Sequence, residues 1–148
     1  MYSGSNIAKL IINWCNHYKI SITNLKLQKL LYFLQGEFSR IRHTRLIMDD
    51  FYAWQLGPVI PSVYSEYAIY SSAQIPSIAN LSIDISRNDS IVIDAILKKY
   101  ATISTWDLVD KSHEQDPWKY NYQIFGDKSI IPYTDIEKYF RERGEHKE

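Results

Sequence analysis

Cysteine is almost missing from this chain: Cys15 is the one thiol in 148 residues. No disulfide can form within the chain, which fits a reducing compartment. Glycine is sparse as well. Its five copies are scattered, so neither a phosphate-cradling loop nor a dinucleotide fingerprint can be built from them. Long apolar runs are lacking. The stretch "LLYFL" falls far short of the roughly 20 residues that span a bilayer, and "MYSGSNIAKL" has no basic start or apolar core of a signal peptide. The expectation is a cytoplasmic protein without a membrane partner. Charge of one sign is lacking too, since Lys plus Arg and Asp plus Glu number 17 each. That balance speaks against a dedicated nucleic-acid binder, which needs a basic footprint.

Groups that could carry chemistry are equally thin. Cys15 and His17 are two apart on a helix and point about 200° from each other, so they cannot chelate together. His113 opens "HEQDP", but Pro117 stands where a metalloprotease helix needs its second histidine. His43 lies in a basic link and His146 in the tail, so no converging zinc set is expected. There is no Gly-x-Ser-x-Gly elbow, and Cys15 sits among apolar helix residues, where a thiol is inert. Asp49 and Asp50 are adjacent. They fit a turn better than an acid–base pair, because neighbours on a strand face opposite ways. His113 and Asp110, one turn apart, read either as an acid–base pair or, more simply, as a hydrogen-bonded histidine at a helix end. Lys26 and Lys29 lie near one end of a long helix, with Arg40, Arg42 and Arg45 more than about 20 Å away at the other. Solvated helix ends explain them more simply than a DNA-reading helix. No cofactor, catalytic residue or metal is expected, and the chain does not read as an enzyme.

Aromatics, by contrast, are plentiful at 14%, with 12 Tyr, 4 Trp and 5 Phe. Their apolar bodies and polar tips suit surfaces that are wet alone and dry in a complex. They serve equally well in a core. With 45% hydrophobic and 23% charged residues, the chain can bury a core of its own. Its length fits one domain over 1–148.

Helical periodicity organises most of that length. Ser5 is placed to cap a first helix carrying Ile7, Ile11, Trp14 and Tyr18. Thr23 caps the next, with Ile22 and Leu27 as a hydrophobic staple. Leu27, Leu30, Leu31, Leu34, Phe38 and Ile41 form one apolar stripe, which predicts a long central helix. "LIMDDFYAWQ" predicts a short hairpin, or a strand and turn, ending at Gly57. Gly57 and Pro58 mark a turn, and Pro61 suits the first position of a helix bearing Val63, Tyr64, Tyr67, Ala68 and Tyr70. Alternation predicts one short strand at 81–85. Ser86 with Asp89, Ser104 with Asp107, and Thr134 with Glu137 each resemble a capping box opening a helix. The last helix docks through Ile136, Tyr139 and Phe140, and the charged tail 141–148 is expected to fray. The fold class is mostly α within α+β: a helical domain around a central long helix, with a small β-hairpin or short sheet.

The blocks "ITNLKLQKLLYFLQG" and "DDFYAWQLGPVIPSVYSEY" resemble the Panacea domain of the SocA-like antitoxins, a family also described as phage-associated proteins. "DAILKKYATISTWDLVDKSHEQDPW" and "IIPYTDIEKYF" resemble its later segments in the same order. The likeness runs from about Ser5 to Phe140, and Leu27, Leu30, Gly57, Pro58, Pro61 and Trp118 are its framework positions. It implies a helical protein that neutralises a toxin encoded beside it by direct binding. It equally implies that some members act as adaptors delivering the toxin to a protease, and it attributes no cofactor or catalytic residue. A DNA-binding regulator of its own operon is a further rival. Stiff aromatics lose little conformational entropy on docking. Lys29, Tyr32, Tyr52, Trp54, Gln55 and Tyr64 are therefore the expected toxin-binding residues, exposed and near one another.

Overall fold

A computed structural model of the chain describes residues 1–146, with side chains through Arg143. The described residues form seven helices and one small sheet: α1 (Gly4–His17), α2 (Asn24–Arg42), β1 (Phe51–Trp54), β2 (Gly57–Val59), α3 (Pro61–Glu66), α4 (Arg87–Tyr100), α5 (Thr105–Glu114), α6 (Asp116–Phe125), β3 (Ser129–Ile131) and α7 (Tyr133–His146). The predicted fold class is the one observed.

Everything is arranged around α2. Thr23 Oγ1 accepts from Lys26 N at 3.3 Å, satisfying a helix-start donor, and His43 ends the helix in the left-handed region at φ 58°. The stripe from Leu27 to Phe38 is buried, but Ile41, expected to extend it, is exposed because the last turn runs past the covering elements. α1, α4, α5, α7 and β2 all pack on α2. The closest approach is at Gly36, where an added Cβ would lie 2.2 Å from two ring carbons of Phe140 on α7.

So complete a wrapping buries much of the polar face of α2 as well, and its three buried amide side chains are paired. Gln35 Oε1 accepts from Leu46 N and Ile47 N, and its Nε2 donates to Ile47 O. Gln28 Oε1 accepts from Ile60 N, its Nε2 donates to Asn24 Oδ1, and Asn24 Nδ2 donates to Tyr64 O. These side chains satisfy backbone groups in the links on either side of the hairpin that joins α2 to α3.

The hairpin forms as expected, but the turn is Gln55–Leu56, and Gly57 and Pro58 already belong to β2. Pro58 is tolerated because β2 is an edge strand that needs no donor there. Gly57 adopts φ +115°, and a Cβ on it would meet Ser112 Oγ at 2.7 Å and Lys29 Cε at 2.9 Å. Both the conformation and the space require glycine. β3 covers the other edge of β1 to give the antiparallel order β2-β1-β3. The strand expected at 81–85 does not form, and the segment pairs with none of the three strands.

Helix starts shift where tertiary contacts intervene. Gly4 N donates to Asp49 Oδ1, so α1 begins earlier and Ser3, not Ser5, caps it. α7 begins at Tyr133, one residue before the expected cap Thr134, with Asp135 N bonded to Pro132 O. The helix runs to His146, and the Arg141–Glu137 pair at 2.9 Å links successive turns. The final two residues of the expected fray lie outside the described residues. Ser86, Ser104 and Pro61 open α4, α5 and α3 as predicted. Ile136 and Phe140 are buried, with Tyr139 packed against them. Tyr67 turns inward, while Ala68–Tyr70 form a short 3-10 turn after α3.

Candidate functional site

The strand β1 alternates: Phe51 and Ala53 face the core, Tyr52 and Trp54 face outward. At its end the Gln55–Leu56 turn leans between the first turn of α2, α3 and the start of α5. The result is a groove of about 590 Å³ with Trp54, Leu56, Val59, Tyr64 and Trp106 among its lining. No charged side chain lines it. Trp54 and Tyr64 meet edge to face with centroids 5.1 Å apart, and Lys128 Nζ sits 5.4 Å from the Trp54 ring centre. Leu56, Tyr64 and Trp106 are exposed at 41%, 38% and 60%. Large apolar side chains this open, clustered in one concavity, make the groove the candidate site.

Supports behind the groove are rigid. Trp118, 8% exposed, donates its indole N–H to Trp54 O at 2.7 Å and stacks between His113 and Tyr122, with centroids at 4.0 and 4.6 Å. The Ile60–Gln28–Asn24–Tyr64 chain of hydrogen bonds holds the base of α3 against α2. Gly57 lets the turn close on Ser112 and Lys29. Of the expected framework positions, Leu27, Leu30, Gly57, Pro58 and Trp118 are buried in this supporting layer or the core beside it, whereas Pro61 opens α3 at the edge of a separate cleft.

Of the expected binding residues, Trp54, Gln55 and Tyr64 share the groove. Tyr52 lies on the same face of β1 but opens into a separate cleft with Asp49, Asp50 and Pro61. Lys29 and Tyr32 are not exposed: both have 0% accessibility. Lys29 Nζ donates to Pro58 O at 2.6 Å and Tyr32 OH to Gln115 Oε1 at 2.8 Å. They were expected at the surface because α2 read as a helix with one wet face, whereas β2, α5 and α7 close over that face. Lys26 is mostly buried too, so the pair at the start of α2 is not the open cationic patch that a DNA-reading helix needs.

Trp106 was missed, although a signal was present. It stands two residues before Leu108 on α5, about 200° around the helix from a buried position. A tryptophan on the open side of a short capped helix is the uncommon event to look for.

Ionisable groups near the groove are perturbed mainly by burial. Lys29 is lowered to about 7 by desolvation. His113 is lowered by desolvation and by the charge of Lys29, against a backbone hydrogen bond with Gln55 and the attraction of Asp110. Its Nε2 is buried without a hydrogen-bond partner, so Asp110 acts on it through space and not as a bonded acid–base partner. Cys15 is raised to about 11 by burial, with Lys26 opposing. Among the described residues no three His, Cys, Asp or Glu side chains converge as a metal set, and no helix is long and apolar enough to cross a membrane.

Residues 27–119 match the family model described as antitoxin SocA-like, Panacea domain. The chain belongs to this family. Antitoxin SocA of Caulobacter vibrioides (strain NA1000 / CB15N) is 33% identical over 124 residues, which take in 76% of this chain and 66% of that protein. No solved structure gives a significant match. The Panacea match takes in α2 from Leu27, the hairpin, α3, α4, α5 and the first turn of α6. Trp54, Leu56, Tyr64 and Trp106 therefore all fall inside the family region, whereas α1, β3 and α7 flank it.

Proposed function

We propose that this Panacea protein is an antitoxin that neutralises a toxin encoded by a neighbouring gene, docking through the groove between the hairpin turn, α3 and α5. The observation that carries the reading is the uncharged concavity in which Leu56, Tyr64 and Trp106 stay open to solvent beside the half-buried Trp54, on a rigid support. Membership of the SocA-like family supports the antitoxin role. A stable complex buries about 1,200–2,000 Å² in total, more than one groove supplies, with a few aromatic anchors dominating the energy. The groove is the anchor and the surface around it the rim. Docking occludes the toxin's working surface, and the antitoxin transforms nothing itself.

Co-expression with the product of the adjacent open reading frame tests this. Trp106→Ala and the double variant Trp106→Ala/Leu56→Ser remain folded by circular dichroism and lose rescue of growth. Full rescue by the folded double variant refutes the groove as the docking site. Because no charge lines the groove, affinity changes little between low and moderate salt. The toxin's half-life stays the same or lengthens when the antitoxin is present; a shortened half-life replaces occlusion by delivery to a protease.

A further inference from the structure

A second concavity, about 110 Å³ in volume, opens where α2, α4, α5 and α7 meet, with Phe33 and Phe140 at its base. Its wall carries three cations, Arg40, Lys111 and Arg143, against one carboxylate, Glu37. That carboxylate is already occupied. Glu37 Oε1 accepts from Arg40 Nε at 2.8 Å, and Oε2 accepts from Lys99 Nζ at 3.1 Å and Tyr100 OH at 2.8 Å. Arg40 spends only its Nε–H on Glu37, and its two terminal NH2 groups have no acceptor among the described residues. Among the described residues neither Lys111 nor Arg143 makes a hydrogen bond or ion pair. Arg143 lies over the Tyr139 ring, 5.7 Å from its centre. Gln115 Oε1 is taken by Tyr32, which leaves the amide NH2 of Gln115 as a further donor on the same wall. Glu114 and Asp116 act on Tyr139 from outside, but neither lines the concavity.

We propose that this pocket binds a tetrahedral oxyanion, a phosphate group, through Arg40, Lys111 and Arg143. Among the charged groups of the lining, donors outnumber acceptors, the one acid is neutralised by its own partners, and guanidinium groups match phosphate oxygens pairwise. The volume admits one such group and excludes a nucleoside, so a larger ligand would leave its remainder outside the mouth. The site lies on elements other than those that line the groove, save for α2 and α5, which serve both.

The test is calorimetric titration of the whole protein with inorganic phosphate, and in a second arm with adenosine monophosphate, chloride being adjusted to hold ionic strength constant. Phosphate binds saturably at one site. Lys111→Gln and Arg143→Gln, both at exposed positions where folding is unaffected, each weaken it about tenfold, the loss expected for one charge-assisted hydrogen bond. Lys9→Gln, whose partner is Glu66 on a different face, leaves it unchanged. Equal binding of the monophosphate identifies a phosphoryl group carried on a larger molecule; binding of phosphate alone identifies the free ion; both sustain the site. A response no greater than that of matched chloride overturns it, as does an equal loss in Lys9→Gln. Growth rescue by the antitoxin is a separate readout, so failure here leaves the groove reading untouched.

Discussion

Replacing Lys29 by methionine isolates the cost of one buried amine. Lys29 is fully buried in α2, and its single acceptor is Pro58 O at 2.6 Å. Desolvation lowers its folded-state pKa from 10.5 to about 7. Between those two values the unfolded chain holds a proton that the folded chain has released. Stability therefore rises with pH there, at up to 1.36 kcal/mol per pH unit. From pH 7 to pH 9 the gain from this group is about 2 kcal/mol. Below pH 7 both states are protonated and the full penalty applies. Cys15 acts in the opposite sense: its thiol is raised to about 11, so the unfolded chain ionises first and stability falls as pH climbs past the unfolded value. Cys15 is common to both proteins and cancels in their difference, and His113, lowered from 6.5, titrates below the window. The methionine variant loses the donor to Pro58 O at every pH, which costs about 1–3 kcal/mol. Urea unfolding at pH 7, 8 and 9 should show the native protein ahead of Lys29→Met at pH 9, with the gap shrinking by about 2 kcal/mol at pH 7. Parallel stabilities across the range would refute a neutral, buried Lys29.

Gly36→Ala gains about 1 kcal/mol of helix propensity, yet its Cβ would overlap the buried Phe140 ring. Urea unfolding should show a net loss of about 1–3 kcal/mol from overpacking, and a more stable variant would mean that α7 can move away. Gln35→Leu removes the acceptor of Leu46 N and Ile47 N and one of the two donors to Ile47 O, which keeps Arg45 Nε. It should destabilise by more than about 2 kcal/mol and expose the Leu46–Ile47 amides to faster hydrogen exchange. Cys15 is fully buried with a raised pKa, so a thiol reagent at pH 8 should label the native protein only at its unfolding rate. Prompt labelling would contradict the packing of α1 on α2.

Local rules were enough for much of this protein. Thr23, Ser86 and Ser104 cap their helices because a side-chain oxygen three residues from a free N–H is a matter of a few bonds. Pro61 opens α3 for an equally local reason. The stripe from Leu27 to Phe38 and the placing of Trp54, Gln55 and Tyr64 near a Gly-Pro link were legible in the same way. Ser3 displaced Ser5 as a cap because Asp49, forty-five residues away, captured Gly4 N. β3 was not anticipated, since a three-residue strand has no periodicity to read and exists only because β1 offered an edge.

Composition and spacing by themselves determined a helical protein with a hairpin and a stiff aromatic link, because caps, turns and apolar stripes act over a few residues. Only tertiary structure decided which polar residues meet water. Lys29 and Tyr32 have the residue types of a surface and the burial of a core, because backbone groups of the hairpin and a glutamine side chain reached them first. Trp106 has the residue type of a core and stands in the open. Whether a side chain is wet depends on which elements close over it, and that is settled by contacts between residues far apart in the chain.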